Sequence, residues 1–413
     1  MKSSRSYAWG VVALLWVVAL LNYMDRQMLS TMQSAMKLDI QELQQATLFG
    51  NLMAIFLLVY GCVSPFSGII ADRVNRKWMI VISLFVWSGV TFCMGYATSF
   101  NQLYWLRAIM GVSEAMYIPA GLSLIADYHS SSSRSLAIGI HMTGLYMGQA
   151  LGGFGATVAH QFSWQHAFQL FGLIGMLYAG VLILFLKEIK IPTDREKSNS
   201  KENQSLHSWF SGIRQVVGNR FFWVILFFFA VSSLPGWGIK NWLPTLFSEN
   251  LHLQMSVAGP IATITIAASS LLGVVIGGLL SDTWVQKNSK GRIFTSAIGL
   301  GLTIPALLLL GMSNAIFFLI LAAVFFGIGF GMFDANNMPI VCQFISPANR
   351  ATAYGLLNMV GVMAGSFITR WLGKSVDKGS LGKDFALMSI VIIVAIVLQL
   401  LILKPKTIEY EAQ

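Results

Sequence analysis

Six charged side chains, three carboxylates and three cations, sit in stretches otherwise too apolar to hold them. Asp25 and Arg26 are adjacent, while Arg107 and Glu114 are seven residues apart and so share nearly one helical face. Lys240, beside Trp237 and Asn241, adds a cation, and Asp334, beside Asn336 and Asn337, adds a third carboxylate. Such groups in apolar surroundings must face a cavity and pair with one another. A carboxylate held by an arginine is also a coupling device: an anion that takes over the arginine eases protonation of the carboxylate left behind. The competing reading is that the first four charges merely tie two helices together. Lys240 equally reads as a residue near a helix end that snorkels to the surface.

Hydroxyls and amides that could meet a polyol are Tyr23, Tyr60, Tyr117, Tyr146, Gln149, Asn337 and Asn358, although tyrosine in such helices is also a packing or interfacial residue. His141 is an isolated helical histidine. The other histidines lack metal-ligand spacing, so no metal is expected. No nucleophile–base pair, phosphate-binding Gly-Lys-Ser/Thr loop or dinucleotide fingerprint is present. The chain reads as no enzyme, with no cofactor.

The elements that carry these residues are membrane spans. The 413 residues are 55% hydrophobic and 11% charged, with mean hydropathy +0.67. Lipid cannot satisfy an exposed backbone, so runs of about 20 apolar residues are expected to form helices. Twelve such runs fall at 8–29, 46–70, 78–96, 104–126, 135–157, 167–186, 221–246, 258–280, 293–312, 316–340, 350–372 and 386–403. Alternation typical of a β-barrel is missing. Cys62, Cys93 and Cys342 lie inside these runs and are expected to stay unpaired.

The net charge of +10 is an orientation signal. Most Lys and Arg fall at the termini and in the loops on their side, against Lys37, Lys374, Lys378 and Lys383 opposite. The positive-inside rule then places both termini in the cytoplasm and makes a nucleic-acid partner unexpected. The polar stretch 187–220 separates a six-helix half at 1–186 from another at 221–413. Internal similarity supports that cut. Gly68-Ile-Ile-Ala-Asp72-Arg73 is echoed by Gly278-Leu-Leu-Ser-Asp282. Gly111-Val-Ser-Glu114-Ala with Pro119 is echoed by Gly331-Met-Phe-Asp334-Ala with Pro339, and Arg134-x-x-Ala-x-Gly by Arg350-x-x-Ala-x-Gly. Parallel repeats of this kind build transporters with a midplane site.

The segment GIIADRVNRK, Gly68 to Lys77, resembles the signature loop of the major facilitator superfamily, with Asn75 where a second glycine often stands. The expected fold is therefore all-α, two pseudo-symmetric six-helix bundles. Asp72 would latch the cytoplasmic gate, where Gly68, Arg73, Arg76, Asp282, Arg134 and Arg350 also belong; alternatively the basic residues only set topology. Asn22-Tyr-Met-Asp25-Arg26, Arg107-x-x-x-Gly111-x-x-Glu114-Ala115, Trp164-Gln-His-Ala-Phe168 and Trp242-Leu-Pro-Thr245 resemble anion:cation symporters, and the first-half motifs are shared with Spinster-like transporters. That resemblance implies that Asp25 and Glu114 carry the proton, with sodium the alternative coupling ion; Asp334, deep in its span by hydropathy, is the candidate for a second titrating group. The resemblance also implies that Arg26 helps hold an anionic substrate.

Together these readings describe a proton-coupled importer of a sugar acid or related carboxylate. Arg26, Arg107, Tyr23, Tyr60, Gln149, Lys240, Asn337 and Asn358 would line its path, and Arg107 would hold Glu114 when charged. A Spinster-like lysolipid transporter is the alternative, and a non-transporting membrane sensor the alternative of another class. A monomer in a bacterial inner membrane is the expected setting.

Overall fold

The computed structural model describes residues 5–71, 74–188, 212–346 and 349–405. Its helices are α1 (Arg5–Asp39), α2 (Ala46–Ala71), α3 (Arg76–Met94), α4 (Phe100–Ala115), α5 (Tyr117–Tyr128), α6 (Ser131–Gly152), α7 (Gly155–Gln161) and α8 (Trp164–Phe185). After the polar stretch come α9 (Arg220–Leu251), α10 (Met255–Val285), α11 (Gly291–Met312), α12 (Ile316–Phe344), α13 (Arg350–Asp377) and α14 (Leu381–Ile402). A short 3-10 turn, Gln41–Gln44, joins α1 to α2. No strand occurs among the described residues.

Among the described residues eleven helices, counting α4 with α5 as one, are long and apolar enough to cross a membrane. The twelfth span is α6, whose 22 residues match the others in length but carry Arg134, His141, Thr143 and Gln149. Polarity lowers its hydropathy because one of its faces meets protein rather than lipid: Leu145 and Gln149 are buried against α1 while Met147 and Leu151 are exposed.

Local chemistry sets the helix ends. Asn75 accepts from the Trp78 amide at 3.0 Å, Ser163 from the His166 amide at 3.1 Å and Asn219 from the Phe221 amide at 2.9 Å. Asn75, the departure from the signature loop, is thus the N-cap of α3. The fourth span breaks at Met116, where Pro119 can neither donate to nor clear the carbonyl of Ala115. Its counterpart Pro339 stays inside the continuous α12, so the repeat is conserved in residues but not in backbone.

One expectation needs correction. α1 has 35 residues and extends ten beyond the expected end at 29, which puts Asp25 and Arg26 in mid-helix rather than at its end. Within the stretch 187–220, 212–218 is helical and buries Val216 beside Phe222 and Ile293, while the Lys77 amide donates to Glu188 at 2.8 Å. The middle of the stretch lies outside the described residues.

Close helix packing rests on small residues. A Cβ on Gly148 would come within 2.1 Å of the Leu20 carbonyl oxygen, holding α6 against α1, and one on Gly273 within 2.2 Å of the Ile328 oxygen, holding α10 against α12. Across the first and last six spans, bonds concentrate at the end away from the termini. Asp377 on α13 accepts from the Ala46 and Thr47 amides of α2 at 2.7 and 2.9 Å. The Thr157 hydroxyl donates to the Ser256 carbonyl at 2.8 Å, and the Thr263 hydroxyl to the Ala150 carbonyl at 3.0 Å. Nearer the middle, Gln27 donates to the Lys240 carbonyl at 2.9 Å and Ser366 to the Ala54 carbonyl at 2.8 Å. That end of the molecule is sealed.

Candidate functional site: a charge cluster facing an interior path

Adjacent residues on a helix diverge by about 100°, so Asp25 and Arg26 turn to different neighbours. Arg26 faces α4, where its Nε donates to Glu114 Oε2 at 2.6 Å, and Asn22, one turn earlier, donates to the same oxygen at 2.9 Å. Glu114 is fully buried. Neither end of this pair is complete: Arg26 Nη2 and Glu114 Oε1 are buried without a hydrogen-bond partner. The Arg26 guanidinium also lies 4.6 Å from the Tyr60 ring centre, 4.9 Å from Phe56 and 5.0 Å from Tyr23.

Asp25 faces α3 and is 5% exposed, yet among the described residues no cation lies within ion-pair distance of it. Its one hydrogen bond among them is a long 3.4 Å bond from the Thr91 hydroxyl, whose single proton is shared with the Trp87 carbonyl at 3.0 Å. Arg107, expected to hold Glu114 when that is charged, interacts with it electrostatically but makes no direct ion pair: it is buried, stacks 4.4 Å above Phe56 and directs Nη1 to the Met110 sulfur at 3.1 Å, leaving its Nε without a partner.

The second six spans add an opposed pair. Lys240 is not at a helix end, because α9 continues to Leu251; its Nζ lies 5.3 Å from the Trp237 ring centre and 5.7 Å from Phe330. The accessible Asp334 carboxylate accepts from Asn337 at 3.1 Å and interacts electrostatically with Lys240. Tyr23 of α1, Tyr146 of α6 and Tyr354 of α13 all feel the Asp334 charge, and Lys240 feels Arg26. Groups on five helices drawn from both sets of spans thus act on one another, and among them Asp334 and Tyr354, 39% exposed, remain accessible.

Of the remaining candidates, Gln149 is buried with Nε2 unpartnered, Asn337 is spoken for by Asp334, and Asn358 donates to Ser64 of α2 at 3.3 Å. Tyr117 donates to the Leu15 carbonyl at 2.8 Å and packs edge-on to His141, away from the cluster. Among the gate candidates, Asp72 and Arg73 lie outside the described residues. Arg76 pairs with Asp127 of α5. Arg134 donates to the Ala126 and His129 carbonyls, and Arg350 to those of Cys342 and Ile345, so the two repeats cap the ends of α5 and α12 alike. Gly68 has open space around it, and Asp282 is exposed. The symporter-like motif at Trp164 also has a structural role: Trp164 and Gln165 donate to Asp39 at 2.7 and 2.8 Å, fastening the end of α1.

Sequence reasoning did not assign Asn22, Phe56 or Tyr354 to the site. The Asn22–Arg26 spacing of one turn was a readable signal. Nothing in the local sequence distinguished Tyr354 from an interfacial tyrosine.

Twelve spans around an interior polar path define a multi-pass membrane transporter rather than an enzyme. The family model of the Major Facilitator Superfamily matches residues 15–369 and again 270–412, and the chain belongs to that superfamily. It is 27% identical to Protein spinster of Drosophila melanogaster over 84% of this chain but only 58% of that relative's length. To the probable galactarate/D-glucarate transporter GarP of Escherichia coli (strain K12) it is 24% identical, over 86% of this chain and 85% of the relative. In fold it matches the crystal structure of a bacterial homologue of the human lysosomal transporter Spinster, with TM-score 0.78 and 20% identity over 97% of both chains.

Proposed function

We propose that this chain is a proton-coupled symporter of a small organic anion, a sugar acid or related carboxylate, working by alternating access between two six-helix halves, 1–186 and 221–413. The observation that carries the reading is the half-satisfied Arg26–Glu114 pair. Arg26 keeps one guanidinium nitrogen unpartnered and Glu114 one oxygen, in a place from which bulk water is excluded. A substrate carboxylate that takes the arginine fork leaves Glu114 to be neutralised by a proton. Asp25, buried without a cation, is a second carrier, and Asp334 with Lys240 offers a charged lining from the facing half. The kinship with a probable galactarate/D-glucarate transporter supports an acidic sugar as cargo.

The setting that goes with this reading is a monomer in a bacterial inner membrane, both termini cytoplasmic, with no cofactor beyond the coupling ion. A lysolipid cargo is the second reading, favoured by the likeness to Protein spinster and by the aromatic walls that Phe56 and Phe330 place beside Arg26 and Lys240. Proteoliposomes separate the two. Uptake of labelled galactarate, glucarate or galacturonate driven by an inward proton gradient, and lost in Glu114→Gln, is the expected result. Movement of lysolipid without such a gradient, with no uptake of any acid, assigns the second reading.

A further inference from the structure

Away from the central path, a cavity of about 310 Å³ opens on the seam between α2, α4 and α13. It is lined by Asn51 and Leu58 of α2, Tyr104 of α4, and Ser366 and Arg370 of α13, so it draws residues from both sets of spans. Arg370 is exposed and has no hydrogen bond or ion pair to any described residue. The Tyr104 hydroxyl likewise makes none, and Asn51 Oδ1 is buried without a donor. Ser366 alone is engaged, donating to the Ala54 carbonyl. A bare guanidinium lining the same cavity as a free phenol hydroxyl suits an oxyanion.

Depth identifies the kind of oxyanion. At about 1.5 Å per residue the 28 residues of α13 run about 42 Å, against a hydrocarbon core of about 30 Å. Arg370 is seven residues from the sealed-end terminus at Asp377, about 10 Å along the axis, which leaves it within a few ångströms of the headgroup boundary. Phe367 and Trp371, 63% and 52% exposed, lie within one turn of it along the axis, and Tyr96 and Trp105 are exposed at the same end of α3 and α4. Amphipathic rings at one level mark the lipid–water interface. Leu58, also exposed, gives an apolar floor leading from the cavity toward the bilayer centre.

We propose that this cavity is a binding site for the phosphate of a phospholipid headgroup, held by Arg370 and the Tyr104 hydroxyl, with an acyl chain running past Leu58. Because Arg370 and Tyr104 stand on opposite sides of the α2–α13 seam, the bound lipid bridges the halves where Asp377 already ties them, and it favours the state sealed at that end. This site is independent of which substrate the central path carries.

The test uses the full-length protein purified in detergent and titrated with phosphatidylglycerol, read by native mass spectrometry and by thermal unfolding. Arg370→Gln is expected to weaken lipid retention about five- to tenfold while leaving the unfolding temperature without lipid unchanged. Arg370→Lys should retain most of the binding, and Tyr104→Phe should lose about threefold. Equal retention by the wild type, Arg370→Gln and Tyr104→Phe overturns the site. A parallel titration with inorganic phosphate tests the source of the anion. Stabilisation by phosphate alone that depends on Arg370, with none from the lipid, overturns a phospholipid as occupant.

Discussion

At the scale of the residue, the cluster is an exercise in keeping ionised groups where water is scarce. Glu114 tolerates complete burial because Arg26 and Asn22 both donate to one of its oxygens. Removing the cation alone strands a buried charge, which typically costs about 3–5 kcal/mol. Arg26→Ala should therefore lower the thermal stability of the detergent-solubilised protein near neutral pH, and the double variant with Glu114→Gln should recover most of the loss, since the stranded charge is gone. A double variant as unstable as Arg26→Ala would mean that arginine packing against Phe56 and Tyr60, rather than charge balance, holds α1 to α4. For function the expectation differs: Glu114→Gln should retain exchange of the acid across the membrane but fail to accumulate it against a gradient, as read by counterflow beside driven uptake. The identities of Asp25, Arg26, Glu114, Lys240 and Asp334 were legible from composition, because charges in apolar runs stand out. Their pairing was not. The seven-residue spacing suggested Arg107 for Glu114, and only the approach of α1 to α4, a matter of tertiary packing, gives Glu114 to Arg26 and leaves Arg107 on Phe56.

At the scale of the element, the seam between α2 and α13 decides which end is sealed. A Cβ on Gly373 would meet the Ala46 carbonyl oxygen at 2.6 Å and one on Gly50 the Thr369 oxygen at 3.0 Å, so the two helices touch backbone to backbone. Asp377 then caps α2 from across the seam, with the Thr47 hydroxyl adding a 2.5 Å bond. Gly373→Val cannot be absorbed by a flexible side chain, because the obstacle is backbone. It should pry the seam apart, lengthening the distance between spin labels placed at the start of α2 and the end of α13. Asp377→Ala, which removes a cap worth about 1 kcal/mol, should broaden the same distance distribution less. Unchanged distances in both variants would locate the seal elsewhere, in the α6–α10 contacts. The helices themselves were readable as apolar runs, but their lengths were not. Apolarity reports only the part in hydrocarbon, so α1 runs on to Asp39 through Gln33, Lys37 and Leu38, which hydropathy assigns to a loop. The break at Met116 against continuity at Pro339 was equally hidden, since proline in a membrane helix is tolerated or not according to its neighbours.

At the scale of the whole molecule, a sealed end and an interior charged path imply that the path communicates with the other side. The internal repeats predict two halves around a central site, and Lys240 and Asp334, from the second set of spans, lie near enough to Arg26 and Tyr23 of the first to interact electrostatically with them. The repeats did not foresee how unlike the halves are: Glu114 is locked in an ion pair, whereas its counterpart Asp334 stays accessible. The two halves therefore present the path with different chemistry, a closed ion pair from the first and an open carboxylate beside Lys240 from the second. Orientation turns the geometry into a measurement. If the basic loops lie in the cytoplasm, the sealed end is external, and Tyr354, on the half of α13 nearer the termini, is reached from inside. Tyr354→Cys, in a chain whose Cys62, Cys93 and Cys342 are replaced by serine, should react with a membrane-impermeant maleimide at least several-fold faster in inverted vesicles than in right-side-out ones. Adding Gly373→Val should raise the slow rate and lower the fast one, because opening the seam exchanges one access for the other. Equal rates in both vesicle types would reject a path open to one side at a time, and a faster reaction from outside would reverse the orientation that the charge distribution assigns.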